Sequence, residues 1–206
     1  ETHKNCSRAR LLSPEKEDEM KRQILARLDL GVLKPSQAEY WSQVHMFAKG
    51  DGRWRMTIDF RLLNDTIKSK NWPLPQIDIL IQEIGKHRPK YIGVLDMVDG
   101  YFQMTVSVDS QVYTAFRTKD GVYEWTRVPQ GLKSASAHFQ KAMECEVLAG
   151  LIGDILQVFL DDICIYAKTE EEFITNCRKA FERFRSFNIK LSPKKVRLGS
   201  SEETLL

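Results

Sequence analysis

Val158–Phe159–Leu160–Asp161–Asp162–Ile163–Cys164–Ile165–Tyr166 sets two acids in the middle of an otherwise apolar run. Such a run, bounded by polar residues, reads as buried strand, and an unpaired carboxylate is costly to bury. Two adjacent buried acids therefore need a cation. The economical geometry is a tight β-hairpin with arms Gln157 to Leu160 and Ile163 to Tyr166, its acids at the tip within reach of a divalent ion. The turn lacks the Asn-Gly or Asp-Gly chemistry that favours hairpins, which assigns the acids to charge rather than to turn formation. Taken alone, the segment could also be an Asp-rich surface turn.

A second apolar run ending in an acid lies upstream, Tyr91–Ile92–Gly93–Val94–Leu95–Asp96, followed by Met97–Val98–Asp99–Gly100–Tyr101–Phe102. One carboxylate from this strand end and one from the hairpin would bracket a pair of hard cations, which take oxygen ligands and also hold substrate phosphates. That is the layout of two-metal phosphoryl transfer.

Four motifs then stand in order: GRWRMTIDFRLLN from Gly52, LDMVDGYFQ from Leu95, Pro129–Gln130–Gly131, and FLDD from Phe159 to Asp162. In order and spacing they resemble the motifs of reverse transcriptases, first those of gypsy-type LTR retrotransposons and next those of retroviruses. The resemblance runs from about Arg10 to the last residue.

A chain of 206 residues suits one domain or two small subdomains. Hydrophobic residues make up 42% and charged residues 29%, as in ordinary soluble globular proteins. No run of eighteen or more apolar residues and no signal-peptide pattern occurs, which argues against a membrane or secretory role. Cys6, Cys145, Cys164 and Cys177 show no paired spacing, and with the four scattered histidines they form no zinc signature, so a reduced intracellular setting fits. A net charge of +3 neither requires nor excludes nucleic acid, because the location of the charge decides. The first residue is Glu1 rather than Met, as expected of a segment of something longer.

Ser13 and Pro14 open a helix with Met20, Ile24, Leu25 and Leu28 at helical spacing before Gly31. Val44 to Phe47, the polar tip Lys49–Gly50–Asp51–Gly52, and then Trp54, Met56, Ile58 and Phe60 alternating with Arg55, Thr57, Asp59 and Arg61 read as an antiparallel hairpin with one buried face. It projects Lys49, Arg53 and Arg55. Trp72–Pro73–Leu74–Pro75 breaks the chain ahead of a short amphipathic helix (Ile77, Leu80, Ile81, Ile84) ended by Gly85. Phe102, Met104, Val106 and Val108 alternate with polar residues as in a strand, and Tyr113 to Arg117 and Val122 to Val128 read as two more around Lys119–Asp120–Gly121. Ser134 or Ser136 can cap a helix with Phe139, Ala142, Met143 and Val147 on one face. Thr169 and Glu172 make a capping box for a helix whose Phe173, Cys177, Phe181 and Phe184 form a core stripe, with Asn188 at its end.

These elements predict an α+β fold: a polymerase palm built on a ferredoxin-like split βαβ plan, an antiparallel sheet with packed helices, plus a fingers subdomain. Fingers are expected at about 1–90 and 115–135, palm at 91–114 and 136–206. The resemblance implies an RNA-directed DNA polymerase that joins deoxynucleotides (dNTP) to a primer 3′-hydroxyl on an RNA or DNA template, using two Mg²⁺, or Mn²⁺ in their place. Asp96 and Asp161 are the expected shared ligands; by the resemblance Asp162 completes the triad and the carbonyl of Met97 joins it. By the same resemblance Arg55 meets the α-phosphate and Lys49 lies near the γ-phosphate, with Gly50 where many relatives carry a second lysine. The resemblance further implies that Gln130 borders the nucleotide pocket, that Tyr101 closes its floor against a ribose 2′-hydroxyl, and that Lys194 or Lys195 is the general acid, the alternative being a solvated lysine pair; Asp99 is expected to be structural. Lys194–Lys195–Val196–Arg197–Leu198–Gly199 resembles the stretch before the primer grip, so thumb and ribonuclease H, expected elsewhere in a polyprotein, are absent up to Leu206. The expected location is intracellular, cytoplasmic or in a virus-like particle. A catalytically silent module that binds nucleic acid or a protein partner is the alternative function, and the intact acids argue against it.

Overall fold

The computed structural model describes residues 11–50, 52–68 and 72–200. Cys6, Asp51 of the predicted hairpin tip and the end of the chain at Leu206 lie outside the described residues. In chain order the helices are α1 (Pro14–Asp29), α2 (Arg61–Thr66), α3 (Ile77–Lys86), α4 (Val108–Gln111), α5 (Ala135–Ala142) and α6 (Glu170–Ser186). The strands are β1 (Leu33–Pro35), β2 (Ser42–Ala48), β3 (Trp54–Asp59), β4 (Tyr91–Asp96), β5 (Phe116–Arg117), β6 (Val122–Trp125), β7 (Leu156–Phe159), β8 (Asp162–Ala167) and β9 (Arg197–Ser200). Two units divide them, Glu1–Lys70 with Tyr101–Ala135 and Asn71–Gly100 with Ser136–Leu206.

In the first unit α1 starts after Ser13 with Pro14 at its first position, carries Glu15 and Glu17 in the first turn, and buries Met20 and Ile24. Leu25, expected on the same stripe, is half exposed. Gly31 takes φ +65°, its N–H donates to the Leu28 carbonyl and that of Val32 to Arg27, the paired bonds of a Schellman stop. The five strands run in the order β1-β6-β5-β2-β3. The β2–β3 hairpin forms as the alternation predicts: Val44 pairs with Ile58 and Met46 with Met56, all buried, while Arg55 faces out opposite Phe47. Phe60, Leu63, Phe116 and Trp125 close the core over α1.

The second unit is a βαββαβ fold, β4-α5-β7-β8-α6-β9, with sheet order β7-β8-β4-β9 and every neighbouring pair antiparallel. This is the ferredoxin-like plan. Helix α6 begins at a cap in which the Thr169 hydroxyl accepts the Glu172 N–H at 3.2 Å while Glu172 accepts the Lys168 N–H at 2.9 Å. Its buried stripe is Phe173, Cys177, Ala180 and Phe184; Phe181 lies at the edge of the stripe, part exposed. Asn188 ends the helix with φ +56°, as its position predicts.

Three expectations are corrected. Phe102 to Val108 is no strand: Gly100–Gln103 is a 3₁₀ turn, only Thr105 bridges (to Arg127), and α4 starts at Val108, which is largely exposed. The alternation there marks no buried face, and the Gln111 side chain takes the Val106 carbonyl that a ladder would have used. Tyr113 likewise sits in a 3₁₀ turn (Val112–Thr114), so the strands around Lys119–Asp120–Gly121 are only Phe116–Arg117 and Val122–Trp125. Gly85 does not end α3; the helix continues to Lys86, and Arg88 takes the left-handed conformation beyond it. Helix α5 starts directly after Ser134 and leaves Ser136 inside, then passes into a π-helical turn, Met143–Val147.

Candidate active site

The acid hairpin forms one residue earlier than the sequence predicts. Its arms are Leu156–Phe159 and Asp162–Ala167, Phe159 pairs with Asp162, and the two-residue turn is Leu160–Asp161. Asp161 is therefore at the tip and Asp162 opens the strand. This register pairs Val158 with Ile163 and Leu156 with Ile165, all buried, and leaves only the acid end of the hairpin half exposed. Leu160 has φ +53°, a left-handed value where two-residue hairpin turns ordinarily place glycine.

Asp162 pairs in register with Asp96, the last residue of β4, so the two side chains leave the same face of the sheet. Burial, then the charges of Asp161 and Asp96, push the Asp162 carboxyl above its ordinary range. Lys195 opposes this: its Nζ donates to Asp96 Oδ2 at 2.8 Å, and that bond holds the ammonium above its usual pKa. The backbone of Asp96 is fixed as well, its carbonyl accepting the Ser192 N–H at 2.8 Å, while the Met97 N–H donates to the Asp161 carbonyl at 3.3 Å. Buried Met97 thus joins β4 to the acid turn. Gly100 completes the fit, because a Cβ there would stand 3.3 Å from Asp161 Cβ and 3.2 Å from Phe139 Cζ. Asp99 is exposed with φ +46°, a turn position that Asp tolerates.

Among the described residues no group of three or more His, Cys, Asp or Glu side chains closes into a ready metal cluster. Asp96, Asp161 and Asp162 nevertheless fit a divalent cation in charge and donor type. They are oxygen donors, and a cation would offset both the burial and the neighbouring carboxylate charges that raise the Asp162 carboxyl.

In the first unit Arg55 projects from β3 and its Nη2 donates to Gln130 Oε1, so the structure brings two of the predicted nucleotide residues together. Asn64 bonds the Gly131 carbonyl at 2.9 Å and accepts the Lys133 N–H at 2.8 Å, which ties the loop after Gln130 to α2. Arg61 holds Asp59 down at about 2 through a hydrogen-bonded ion pair. Lys49 sits exposed at the hairpin tip, and Tyr101 is half buried in its 3₁₀ turn.

Sequence reasoning missed Gln140 and Glu144. Gln140 is fully buried and bonds the backbone on both sides of Phe159. A glutamine beside the core residues Phe139 and Met143 was the available signal. A cavity of about 670 Å³ between α6 and the β4–β9 edge, lined by Tyr91, Phe173 and Leu198, includes none of the predicted site residues.

The family described as reverse transcriptase (RNA-dependent DNA polymerase) matches residues 47–205. The chain is 29% identical over 195 residues to the retrovirus-related Pol polyprotein from transposon 412 of Drosophila melanogaster, covering 92% of this chain and 16% of that one. It is 31% identical over 173 residues to the Pol polyprotein from transposon gypsy of the same organism, covering 81% and 16%. Among solved structures, a prototype foamy virus protease–reverse transcriptase superposes with a TM-score of 0.85 at 27% identity, over 97% of this chain and 26% of that one. The foamy viral protease–reverse transcriptase in complex with RNA/DNA hybrid gives 0.85 at 26% identity, over 100% and 27%. This chain thus spans under a fifth of each of those polyproteins. With a matching family, polyprotein relatives of the gypsy type and a shared fold, the chain belongs to the reverse transcriptases.

Proposed function

We propose that this chain carries the polymerase site of an RNA-directed DNA polymerase, extending a primer 3′-hydroxyl with deoxynucleotides on an RNA or DNA template. The observation that carries the reading is Asp96 paired with Asp162 across two antiparallel strands, with Asp161 on the adjoining turn. The relative solved with RNA/DNA hybrid supports the choice of substrate.

Extension joins the primer 3′-oxygen to the α-phosphorus, breaks the bond to pyrophosphate and removes the hydroxyl proton, with little covalent work for the protein. Asp96, Asp161 and Asp162, with the Met97 carbonyl, would hold two Mg²⁺ or Mn²⁺, which supply charge neutralisation and lower the pKa of the attacking hydroxyl. Lys195, which reaches Asp96, is the nearer candidate for protonating pyrophosphate, and Lys194 is the other. Arg55, oriented by Gln130, neutralises the α-phosphate in this reading, and Lys49 serves the γ-phosphate. Tyr101 is assigned to sugar choice. The first unit would act as fingers and the second as palm, with thumb and ribonuclease H supplied by a larger polyprotein, inside the cell or in a virus-like particle. Among the described residues no helix is long and apolar enough to cross a membrane.

Primer extension with Mg²⁺ and Mn²⁺ tests the reading. Asp96→Asn and Asp161→Asn should each lower the rate by on the order of a thousandfold or more while circular dichroism stays unchanged. Near-normal turnover in either variant overturns it.

A further inference from the structure

Strand β7 is an edge strand of its sheet, laddered to β8 on one side and met on the other, among the described residues, by an isolated bridge from Ile152 to Leu156 at its start. Phe159 and Asp162 flank the two-residue turn as a hydrogen-bonded pair, so the next residue back, Val158, directs its backbone N–H and C=O away from β8. A side chain receives that carbonyl, together with the Leu160 N–H just beyond the strand. Gln140 Nε2 donates to the Val158 carbonyl at 3.1 Å, and Gln140 Oε1 accepts the Leu160 N–H at 2.6 Å. In a parallel sheet one residue bonds in this way to the residues before and after its neighbour, so the Gln140 amide stands where the peptide of a further strand would stand.

The amide is also held in one orientation. Gln140 Nε2 donates to Glu144 Oε1 at 2.7 Å, and a carboxylate only accepts, so the NH₂ end must face Glu144 and the oxygen must face Leu160. Glu144 Oε2 in turn accepts the Trp72 indole N–H at 2.9 Å. Glu144 lies in the π-helical turn that follows α5, one turn after Gln140. The result is a chain from Trp72 through Glu144 and Gln140 to the backbone immediately before Asp161. It ends on Leu160, whose left-handed conformation is costly for a residue with a Cβ and persists only where the surroundings over-determine it.

We propose that Gln140, braced by Glu144 and Trp72, is a positioning residue that fixes the Leu160 turn and so sets where the Asp161 carboxylate stands. The inference rests on the reading of Asp161 as a metal ligand, but its structural half can be tested without it.

The experiment labels the chain with ¹⁵N-leucine and follows amide exchange at Leu160 and, as a reference inside the sheet, at Leu95, alongside single-turnover extension across a Mg²⁺ series. Gln140→Leu removes both backbone contacts at near-constant volume. It should speed Leu160 exchange by roughly tenfold or more with Leu95 little changed, and lower the single-turnover rate by a similar factor. It should also raise the Mg²⁺ concentration for half-maximal rate. Trp72→Phe deletes only the far end of the chain, keeps the fold testable should Gln140→Leu fail to fold, and should move the same readouts in the same direction by a smaller factor. Pairing Gln140→Glu with Glu144→Gln puts an amide donor back against a carboxylate acceptor and should recover part of what Gln140→Glu alone loses. Unchanged Leu160 exchange, or equal acceleration at Leu160 and Leu95, overturns the proposal. If Leu160 exchange rises as expected but extension proves independent of Asp161, the clamp stands and the polymerase reading falls.

Discussion

Replacing Gly100 by alanine puts a methyl group against the turn that carries Asp161. The Gly100 backbone is not in the left-handed region, so alanine can adopt it, and the stiffer unfolded chain would contribute about 0.4–1 kcal/mol in favour of folding. Against this, the new Cβ meets Phe139 Cζ at 3.2 Å and Asp161 Cβ at 3.3 Å, where carbon contacts prefer about 3.5–4.0 Å. Phe139 is buried in the core and its ring cannot swing away. The softer neighbour is the half-exposed Asp161 turn, so the strain falls there. Overpacking costs about 1–3 kcal/mol, and at the low end of that range the two effects nearly cancel. Stability should therefore stay within about 1 kcal/mol of the parent protein. Catalytic groups tolerate about 0.5 Å of misplacement, and 1 Å can cost about 100-fold, so a shift of a few tenths of an ångström should slow single-turnover extension by roughly three- to tenfold. Urea midpoints and single-turnover primer extension measure the two halves. Gly93→Ala is the contrast: its Cβ would meet Phe173 Cζ at 2.8 Å and Leu198 Cδ2 at 2.9 Å, against α6 and β9. It should lose about 1–3 kcal/mol yet keep its rate while folded. A Gly100→Ala protein that loses stability and keeps its rate would refute the reasoning.

Two more outcomes follow from the electrostatics of the acids. Because burial and the neighbouring carboxylates raise the Asp162 pKa in the folded state, the folded protein is destabilised at neutral pH, where the group is charged in both states, and is relieved as pH falls through the raised value. Asp162→Asn in chelator should therefore raise the urea midpoint at pH 7.5, with the gain shrinking towards pH 4 and gone below the ordinary carboxylate value of 3.8. An equal gain at both pH values would be contrary to this account. Lys195→Leu should slow the single-turnover chemical step by roughly 100-fold and Lys194→Leu much less, since only Lys195 is seen to bond Asp96; equal effects would remove the distinction.

Much of the fold is legible in short stretches. Ser13 and Pro14 with the Gly31 stop, the Thr169–Glu172 cap, and the alternation from Trp54 to Asp59 each carry their own physics within a few residues, and each element forms where it is expected. The two runs ending in acid likewise announce strands that bring carboxylates together. Alternation alone misled at 102–108, where the backbone bridges only at Thr105 and the Gln111 side chain takes the Val106 carbonyl instead.

The sequence by itself determined the capped helices, the hairpin strands and the two acid-ended strands of the ferredoxin-like plan, though not the turns at 100–114, because hydrophobic period and capping chemistry act between near neighbours. Tertiary structure alone decided that the hairpin turns at Leu160–Asp161, that Lys195 and not Lys194 reaches Asp96, and that Gln140 holds the turn. Those outcomes depend on contacts 20 residues apart for Gln140 and Leu160 and 99 apart for Asp96 and Lys195. At such separations a shift of one residue in packing exchanges the partner, and no local propensity registers the difference.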